Sequence, residues 1–326
     1  MNIVLFVNSH VPVLKYGGTE RVVYSLAQEL IKLGHNVTLL VKSTTPSNPI
    51  KTIIYNPNLA FEQQLPENTD IVHLHGMIDE ELNIPYVVTM HGNLKNQTSL
   101  DLNTIFVSKN HAQRYGSTSY VQNGLNWDNY TKVDLNKPRE YYHFLGKAAW
   151  RIKNVKGAIE IAKQANEKIK ILGGIRFNFK MGMRFTFSPK ASFYGMVGGK
   201  EKNYLLNGSK GLIFPILWHE PFGLAITESL YYGAPVFGTP YGSLPELVTS
   251  EVGYLSNNQN NLIEAIKNNH FNPKTCHEYA NDLFNSKIMA YEYIKKYEQA
   301  LNGKKLNETN PLLQKLPSSK FLEFNK

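Results

Sequence analysis

Two glutamates, Glu220 and Glu228, stand eight positions apart in the stretch WHEPFGLAITESLYYGAPVFGTPYGSLPELV, which runs from Trp218 to Val248. Between them lies Pro221-Phe222-Gly223, followed by residues of helical character. Proline suits the first turn of a helix, because it donates no N–H and pre-sets φ. Glycine lets a ligand approach the backbone closely. The N–H groups of Phe222, Gly223 and Leu224 would then converge at the positive end of a helix dipole, which suits a phosphate or diphosphate. A carboxylate aimed at that spot would repel the anion, so Glu220 is expected to turn aside, toward neutral hydroxyls. Glu228 falls about 12 Å further on at the usual helical rise. There a carboxylate can accept two hydrogen bonds from a vicinal diol. Diol, diphosphate and sugar in that order describe a nucleotide sugar, with ribose at Glu228 and hexose at Glu220.

Such a constellation needs elements to hold it, and short apolar runs alternate with helix-like periods over most of the chain. IVLFV, NVTLLV, DIVHLH, YVVTM, TIFV and TSYVQ read as strands of a first unit. A helix lies between the first two, with Val22, Val23, Leu26, Leu30 and Leu33 on one face, Thr19 as its N-cap and Gly34 as its stop. A second unit opens at YYHFLG and continues through the helix NVKGAIEIAKQANEK and the strand IKILGG. The strand ASFYG, the helix GGKEKNYLLNGS and the strands GLIFP and PVFG complete it. Strand and helix in repetition imply parallel sheets wrapped by helices. The tail from Pro273 to Leu301 reads as helical throughout.

The expected organisation is α/β, with two Rossmann-like doubly wound domains facing across a cleft. The domains are 1–138 and 139–285, and a helical segment 286–326 crosses back to the first. One segment breaks the pattern. RFNFKMGMRFTFS puts Phe177, Phe179, Met181, Met183, Phe185 and Phe187 on one face. Arg176, Asn178, Lys180, Arg184 and Thr186 take the other. This period of two predicts a hairpin near Gly182 that covers the second domain's core, with a basic acceptor-binding or oligomer surface as the alternative.

Composition bounds the function classes. The chain has 326 residues, 42% hydrophobic and 19% charged, so it can build ample core. Its +9 net charge is scattered, with no basic run longer than a pair such as Lys304-Lys305. That argues against a nucleic-acid binder. Cys276 is the only cysteine, which excludes an internal disulfide and any multi-cysteine metal site. No Asp-x-Asp occurs to seat a metal ion on paired carboxylates. His73 and His75 alternate on one strand, but no third ligand accompanies them. The loop at Tyr16-Gly17-Gly18 is neither Gly-x-Gly-x-x-Gly nor a Walker sequence, which weakens dehydrogenase and nucleoside triphosphatase readings. Met1–Val7 carries no basic leader and reads as a buried strand, so the expected location is the cytoplasm. The basic surface is compatible with peripheral contact to an anionic membrane.

The 220–248 stretch resembles the donor-binding signature of the retaining family 4 glycosyltransferases of GT-B fold. That signature has Glu-x-Phe-Gly, a second Glu after seven residues, Gly-x-Pro-Val (here Gly233–Val236) and a Pro-Glu-Leu-Val-like turn (here Pro245–Val248). Other landmarks keep their order. Gly17-Gly18-Thr19-Glu20 resembles the first-domain glycine loop. VTMHG, with His91, resembles a strand-end histidine. VQNGLNWDNY resembles an Asn-Gly-hydrophobic-Asp stretch, with Asn126 where Asp is usual. FYGMV, with Met196 and Val197, resembles the segment near the nucleotide base. Gly146-Lys147 stands where Gly-Arg is usual, and Lys153, before Asn154 and a helix, best matches the family's key lysine. The alternating ribbon replaces the helix expected after ILGG.

The resemblance implies a metal-independent hexosyltransferase with no cofactor. Its donor would be a nucleotide diphosphate sugar of UDP or GDP type. Its acceptor would be a glycan or a lipid-linked hydroxyl in cell-surface glycan or glycolipid synthesis. It implies His91, Glu220 and Lys153 as catalytic, and Gly17, Gly18, Lys147, Met196, Val197, Phe222, Gly223, Leu224 and Glu228 as donor-binding. An epimerase or glycan phosphorylase on the same fold, or a non-catalytic nucleotide-sugar binder, are the alternatives left open.

Overall fold

A computed structural model of the chain describes residues 1–326 except 14, 16, 180, 182 and 317. Its contacts divide it into two units, Met1–Trp127 with Phe284–Leu316, and Asp128–Leu283 with Pro317–Lys326.

The first unit is built on six parallel strands: β1 (Asn2–His10), β2 (Asn36–Ser43), β3 (Thr52–Ile54), β4 (Ile71–Leu74), β5 (Tyr86–Met90) and β6 (Thr104–Phe106). Their order is β3-β2-β1-β4-β5-β6. Ile3–Val7 of β1 and Val37–Val41 of β2 are buried without alternation, as strands covered on both faces require. Helix α1 (Gly18–Lys32) buries Val22, Val23, Leu26 and Leu30, and Gly34 (φ +85°) ends its turn in the left-handed region that glycine favours. Its N-cap is Gly17, not Thr19, which lies inside the first turn. TSYVQ forms only a bridge, Tyr120 beside Phe106, and the short helix α2 (Lys109–Arg114) precedes it.

The second unit repeats the plan. Its strands are β7 (Tyr141–Leu145), β8 (Ile169–Leu172), β9 (Phe177–Asn178), β10 (Arg184–Phe185), β11 (Ala191–Phe193), β12 (Ser209–Phe214), β13 (Val236–Gly238) and β14 (Gly253–Leu255). Six of them form a parallel sheet of order β11-β8-β7-β12-β13-β14, and β9 and β10 form a ribbon of their own. The connecting helices are α3 (Val155–Gln164), α4 (Gly199–Asn207), α5 (Leu224–Tyr231), α6 (Leu244–Leu247), α7 (Gln259–Lys267) and α8 (Pro273–Leu283). Counted within each six-stranded sheet, both orders are 3-2-1-4-5-6. In that arrangement ligands bind beyond the carboxyl ends of the strands, where the order reverses. In the second unit that point lies between β7 and β12.

Two expectations change here. The tail helix is broken after α8, because Phe284 and Ser286 exchange backbone hydrogen bonds with Leu125 (3.0 and 2.9 Å). The helix Ser286–Leu301 then starts under an Asn285 cap and packs on the first unit. There Tyr297 Oη lies 2.8 Å from His73 Nδ1, and Tyr293 Oη accepts from Thr89 Oγ1 at 3.1 Å. The ribbon exists, with β9 paired antiparallel to β10, but its faces are reversed. Asn178, Arg184 and Thr186 are turned inward and buried, while the Phe and Met row faces solvent. Its inferred turn at Gly182, and Lys180, lie outside the described residues.

Candidate functional site

Beyond β7, Gly146 (φ +154°) meets Gly173 (φ +130°) at the end of β8. A Cβ on Gly173 would fall 2.0 Å from the Gly146 carbonyl oxygen, so the two turns touch backbone to backbone. Lys147 follows, with its ammonium 5.4 Å over the Trp150 ring. A 3-10 turn, Arg151–Lys153, leads to Asn154 in the left-handed conformation (φ 51°). The Asn154 side chain accepts from Gly157 N at 3.0 Å, which caps α3, and donates to the Pro215 carbonyl at 2.9 Å. One asparagine thus starts the helix and ties the lysine turn to the end of β12.

That tie positions Lys153. Its Nζ lies 2.5 Å from Glu220 Oε2, and both residues are buried. The ammonium also sits 4.9 Å over Trp218 and 5.3 Å over Phe214, and Trp218 Nε1 donates to the same Glu220 oxygen at 2.8 Å. The glutamate loop is held from behind. Ser243 N donates to Glu220 O at 2.9 Å, and Ser243 Oγ donates to Phe222 O at 2.5 Å. A Cβ on Gly242 (φ +65°) would lie 2.2 Å from Glu220 N.

Gly223 (φ +93°) is the N-cap of α5, so the helix starts at Leu224 and Pro221 lies before it rather than in its first turn. The first-turn N–H groups of such a helix have no acceptor within the helix itself. Glu228 sits in the second turn and is 1% exposed. The protein itself meets this carboxylate: Lys202 of α4 pairs with Oε1, and Tyr130 Oη donates to it at 2.9 Å. Met196 and Val197 follow β11, where Gly195 N donates to Gly174 O at 3.1 Å; Met196 is half-exposed and Val197 buried. A cavity of about 430 Å³ opens beside the lysine turn, lined among others by Trp150, Arg151, Lys156, Arg184, Leu217 and Phe321.

In the first unit, Gly17 (φ +157°) closes on Glu20, whose Oε2 would lie 2.7 Å from a Cβ at Gly17, and Gly18 opens α1. Ser9 Oγ donates to Glu20 Oε1 at 2.6 Å; Tyr16 lies outside the described residues. His91 directly follows β5. Its Nε2 is 2.9 Å from His75 Nδ1, and the His75 ring lies tilted against His73 at 3.9 Å between centroids. His73 is bracketed by Tyr297 Oη (2.8 Å) and Thr89 Oγ1 (2.7 Å). Burial holds the His91 pKa down at about 4 and those of His73 and His75 well below the usual value. These rings are therefore neutral near pH 7. Among the described residues, no group of three or more His, Cys, Asp or Glu side chains could hold a metal ion.

The structure thus gathers Lys153, Glu220, Phe222, Gly223 and Leu224 at one strand-end loop system. Lys147 stands on the adjoining turn, and Glu228 belongs to a separate buried pair. Trp218, Tyr130, Lys202, Asn154, Gly242 and Ser243 are contributors that sequence reasoning missed. Of these, Trp218 carries a local signal, since it stands two residues before Glu220.

A chain of two parallel-sheet units, each of order 3-2-1-4-5-6, with a glycine-capped helix start beside a buried Lys-Glu pair, has the architecture of a GT-B glycosyltransferase. The family model for glycosyl transferases group 1 matches residues 127–282, and that for glycosyltransferase family 4 matches residues 16–119. The chain belongs to this family of glycosyltransferases. It is similar in fold to AviGT4, a glycosyltransferase involved in avilamycin A biosynthesis (TM-score 0.75, 20% identity, 93% of this chain and 99% of that one). Sucrose-phosphate synthase from Thermosynechococcus elongatus is similar too (TM-score 0.67, 17% identity, 93% and 100%). So is HepE from Anabaena in complex with UDP and glucose (TM-score 0.63, 14% identity, 92% and 100%). A Klebsiella pneumoniae relative, described as an uncharacterized 41.2 kDa protein in cps region, is 31% identical over 114 residues. That match spans 32% of this chain and 32% of the relative.

Proposed function

We propose that the chain transfers a hexose from a nucleotide diphosphate sugar to an acceptor hydroxyl, with retention at the anomeric carbon and without a metal ion. The second unit takes the donor. The first takes the acceptor, a glycan or a lipid-linked glycan, in cell-surface glycan or glycolipid synthesis. His91 and the Gly17-Gly18 turn are the first unit's candidates for substrate contact.

The observation that carries this reading is the buried Lys153–Glu220 pair with Trp218, set beyond the carboxyl ends of β7 and β12. A pyrophosphate at the Gly223 helix start would meet the dipole and first-turn N–H groups of α5, with Lys147 and Lys153 to balance its charge. Charge on the phosphate grows as the glycosidic bond breaks, so a fixed ammonium stabilises the transition state more than the ground state. Glu220 holds Lys153 through an ion pair and is the candidate to accept a hydrogen bond from a hydroxyl of the hexose. Similarity to a protein whose structures hold UDP and UDP-glucose supports a UDP-type donor. Glu228 is the candidate for the ribose, which would have to share it with Lys202 and Tyr130.

The test is a panel of nucleotide sugars read by thermal stabilisation, since a ligand that binds only the folded state raises its melting temperature. Product analysis by NMR with the best donor and a glycan acceptor follows. Stabilisation by one donor and an axial or equatorial product linkage matching that donor's supports the reading. No stabilisation by any member, or release of an epimer or a sugar phosphate instead, overturns it.

A further inference from the structure

The β9–β10 ribbon carries its amphipathy inside out. Phe177, Phe179, Met181, Met183, Phe185 and Phe187 run from 44% exposed at Phe177 to 80% at Phe187. The polar row beneath is pinned to the domain. Arg184 donates to Thr186 Oγ1 and Ile175 O, each at 2.7 Å, and lies 5.1 Å over the Phe193 ring. Arg176 donates to Thr186 O at 3.0 Å and Ser188 O at 3.1 Å. The arginines therefore fix which face points out. Outside, Phe177, Phe179, Phe185 and Phe187 form one aromatic cluster, with centroids 5.6–6.1 Å apart. Met181 sits toward the tip with φ +56°, a conformation that a bulky side chain rarely takes. A contiguous apolar patch of this kind on a water-facing surface marks an interaction site.

The flank of the ribbon says what covers it. Phe185 and Phe187 also line a groove of about 1130 Å³ whose charged side chains, among the described residues, include Lys156, Lys163 and Lys190 against one acidic side chain, Glu160. An aromatic and methionine tip framed by lysines is the pattern that seats a protein in the headgroup region of an anionic bilayer: the rings enter the acyl boundary and the ammonium groups stay at the phosphates. A second copy of the chain fits poorly. Six side chains fall short of the roughly 20–30 residues a side of a stable protein interface.

We propose that the β9–β10 ribbon is a membrane-docking element that inserts its Phe and Met row into an anionic lipid surface. The full chain is tested by co-sedimentation with vesicles of phosphatidylcholine alone and of equal parts phosphatidylcholine and phosphatidylglycerol. Binding to the anionic vesicles at least about tenfold stronger than to the neutral ones, and weakened by salt, is expected. Phe179→Ser with Phe187→Ser should lower it by about tenfold or more at an unchanged melting temperature, because both side chains are already in solvent. Lys163→Glu with Lys190→Glu should weaken it and flatten its salt dependence. No binding to either vesicle overturns the proposal. So does undiminished binding by the Phe179→Ser, Phe187→Ser variant, or a dimer in solution that this variant dissolves.

Discussion

Lys153 and Glu220, 67 positions apart in the chain, meet at 2.5 Å with their side chains 10% and 8% exposed. An ion pair at that depth is costly to form and costlier to break. Removing one partner strands a charge, which typically destabilises by about 3–5 kcal/mol. Lys153→Ala and Glu220→Ala should therefore each lower the denaturant midpoint. Each should also cut turnover by on the order of a hundredfold or more, as losses of transition-state charge stabilisation do. The double variant Lys153→Met, Glu220→Gln separates the effects: it should regain much of the stability and none of the turnover. Wild-type turnover in that protein would remove the pair from the chemistry.

Glu228 makes a parallel case with a different expected balance. It is 1% exposed and shared by Lys202 and Tyr130, so its first role on this geometry is to neutralise Lys202 inside the second unit. Glu228→Ala should cost about 3–5 kcal/mol of stability by stranding that ammonium. Glu228→Gln keeps the shape but not the charge, and should cost less. If a ribose also uses this carboxylate, calorimetry on Glu228→Gln should show weaker UDP binding with turnover at saturation nearly kept, because the contact acts mainly in the ground state. Unchanged UDP affinity would leave Glu228 a purely structural residue.

How much of this was legible in the sequence follows from the range of the interactions. The alternation of buried strands and amphipathic helices is local, so the plan of both sheets could be read, but it does not mark the short edge strands β3 and β14 and it makes TSYVQ, only a bridge, read as a strand. The turn glycines sit in motifs, so the loops they shape could be found. Lys202 could not, because nothing on α4 marks it as the partner of a glutamate 26 positions on; only the fold joins them. The ribbon shows the opposite limit. Its period of two was plain, but periodicity does not say which face is inside. The Phe193 ring and the carbonyls that bind Arg176 and Arg184 decided against the usual rule.

The histidine cluster gives a pH prediction. His73, His75 and His91 have pKa values depressed by burial, and those of His73 and His75 are lowered further by neighbouring rings. Above about pH 6.5 both folded and unfolded chains hold these rings neutral, and the stability they support is fully present. As pH falls below that, the unfolded chain binds protons that the folded one refuses. Stability is then lost at up to about 1.4 kcal/mol per pH unit for each of His73 and His75. His91 adds to the loss down to about pH 4, where it protonates in the folded state, and the loss from His73 and His75 runs on until each protonates in the folded state. Melting temperature should therefore drop steadily on acidification through this window. NMR of the folded protein should show these ring signals fixed between about pH 7 and pH 5. Titration near pH 6.5 would mean the rings are wet.

Gly242 offers the sharpest test of how the glutamate loop is held. Its φ of +65° lies in the left-handed region, and a Cβ there would fall 2.2 Å from Glu220 N and 2.3 Å from Glu220 O. Both atoms are backbone, and Ser243 N already holds that carbonyl at 2.9 Å, so neither can retreat without moving the carboxylate. Gly242→Ala should push Glu220 off Lys153 while leaving every charged group in the sequence. Turnover should fall by about tenfold to a hundredfold, as a displacement of about 1 Å in a positioned group does. Gly34→Ala is the matched control. It has a similar left-handed backbone (φ +85°), and a Cβ there would meet nothing within 4 Å, so it should lose some stability and keep full turnover per folded molecule. Equal turnover in the two variants would show that the close packing behind Glu220 does not set its position.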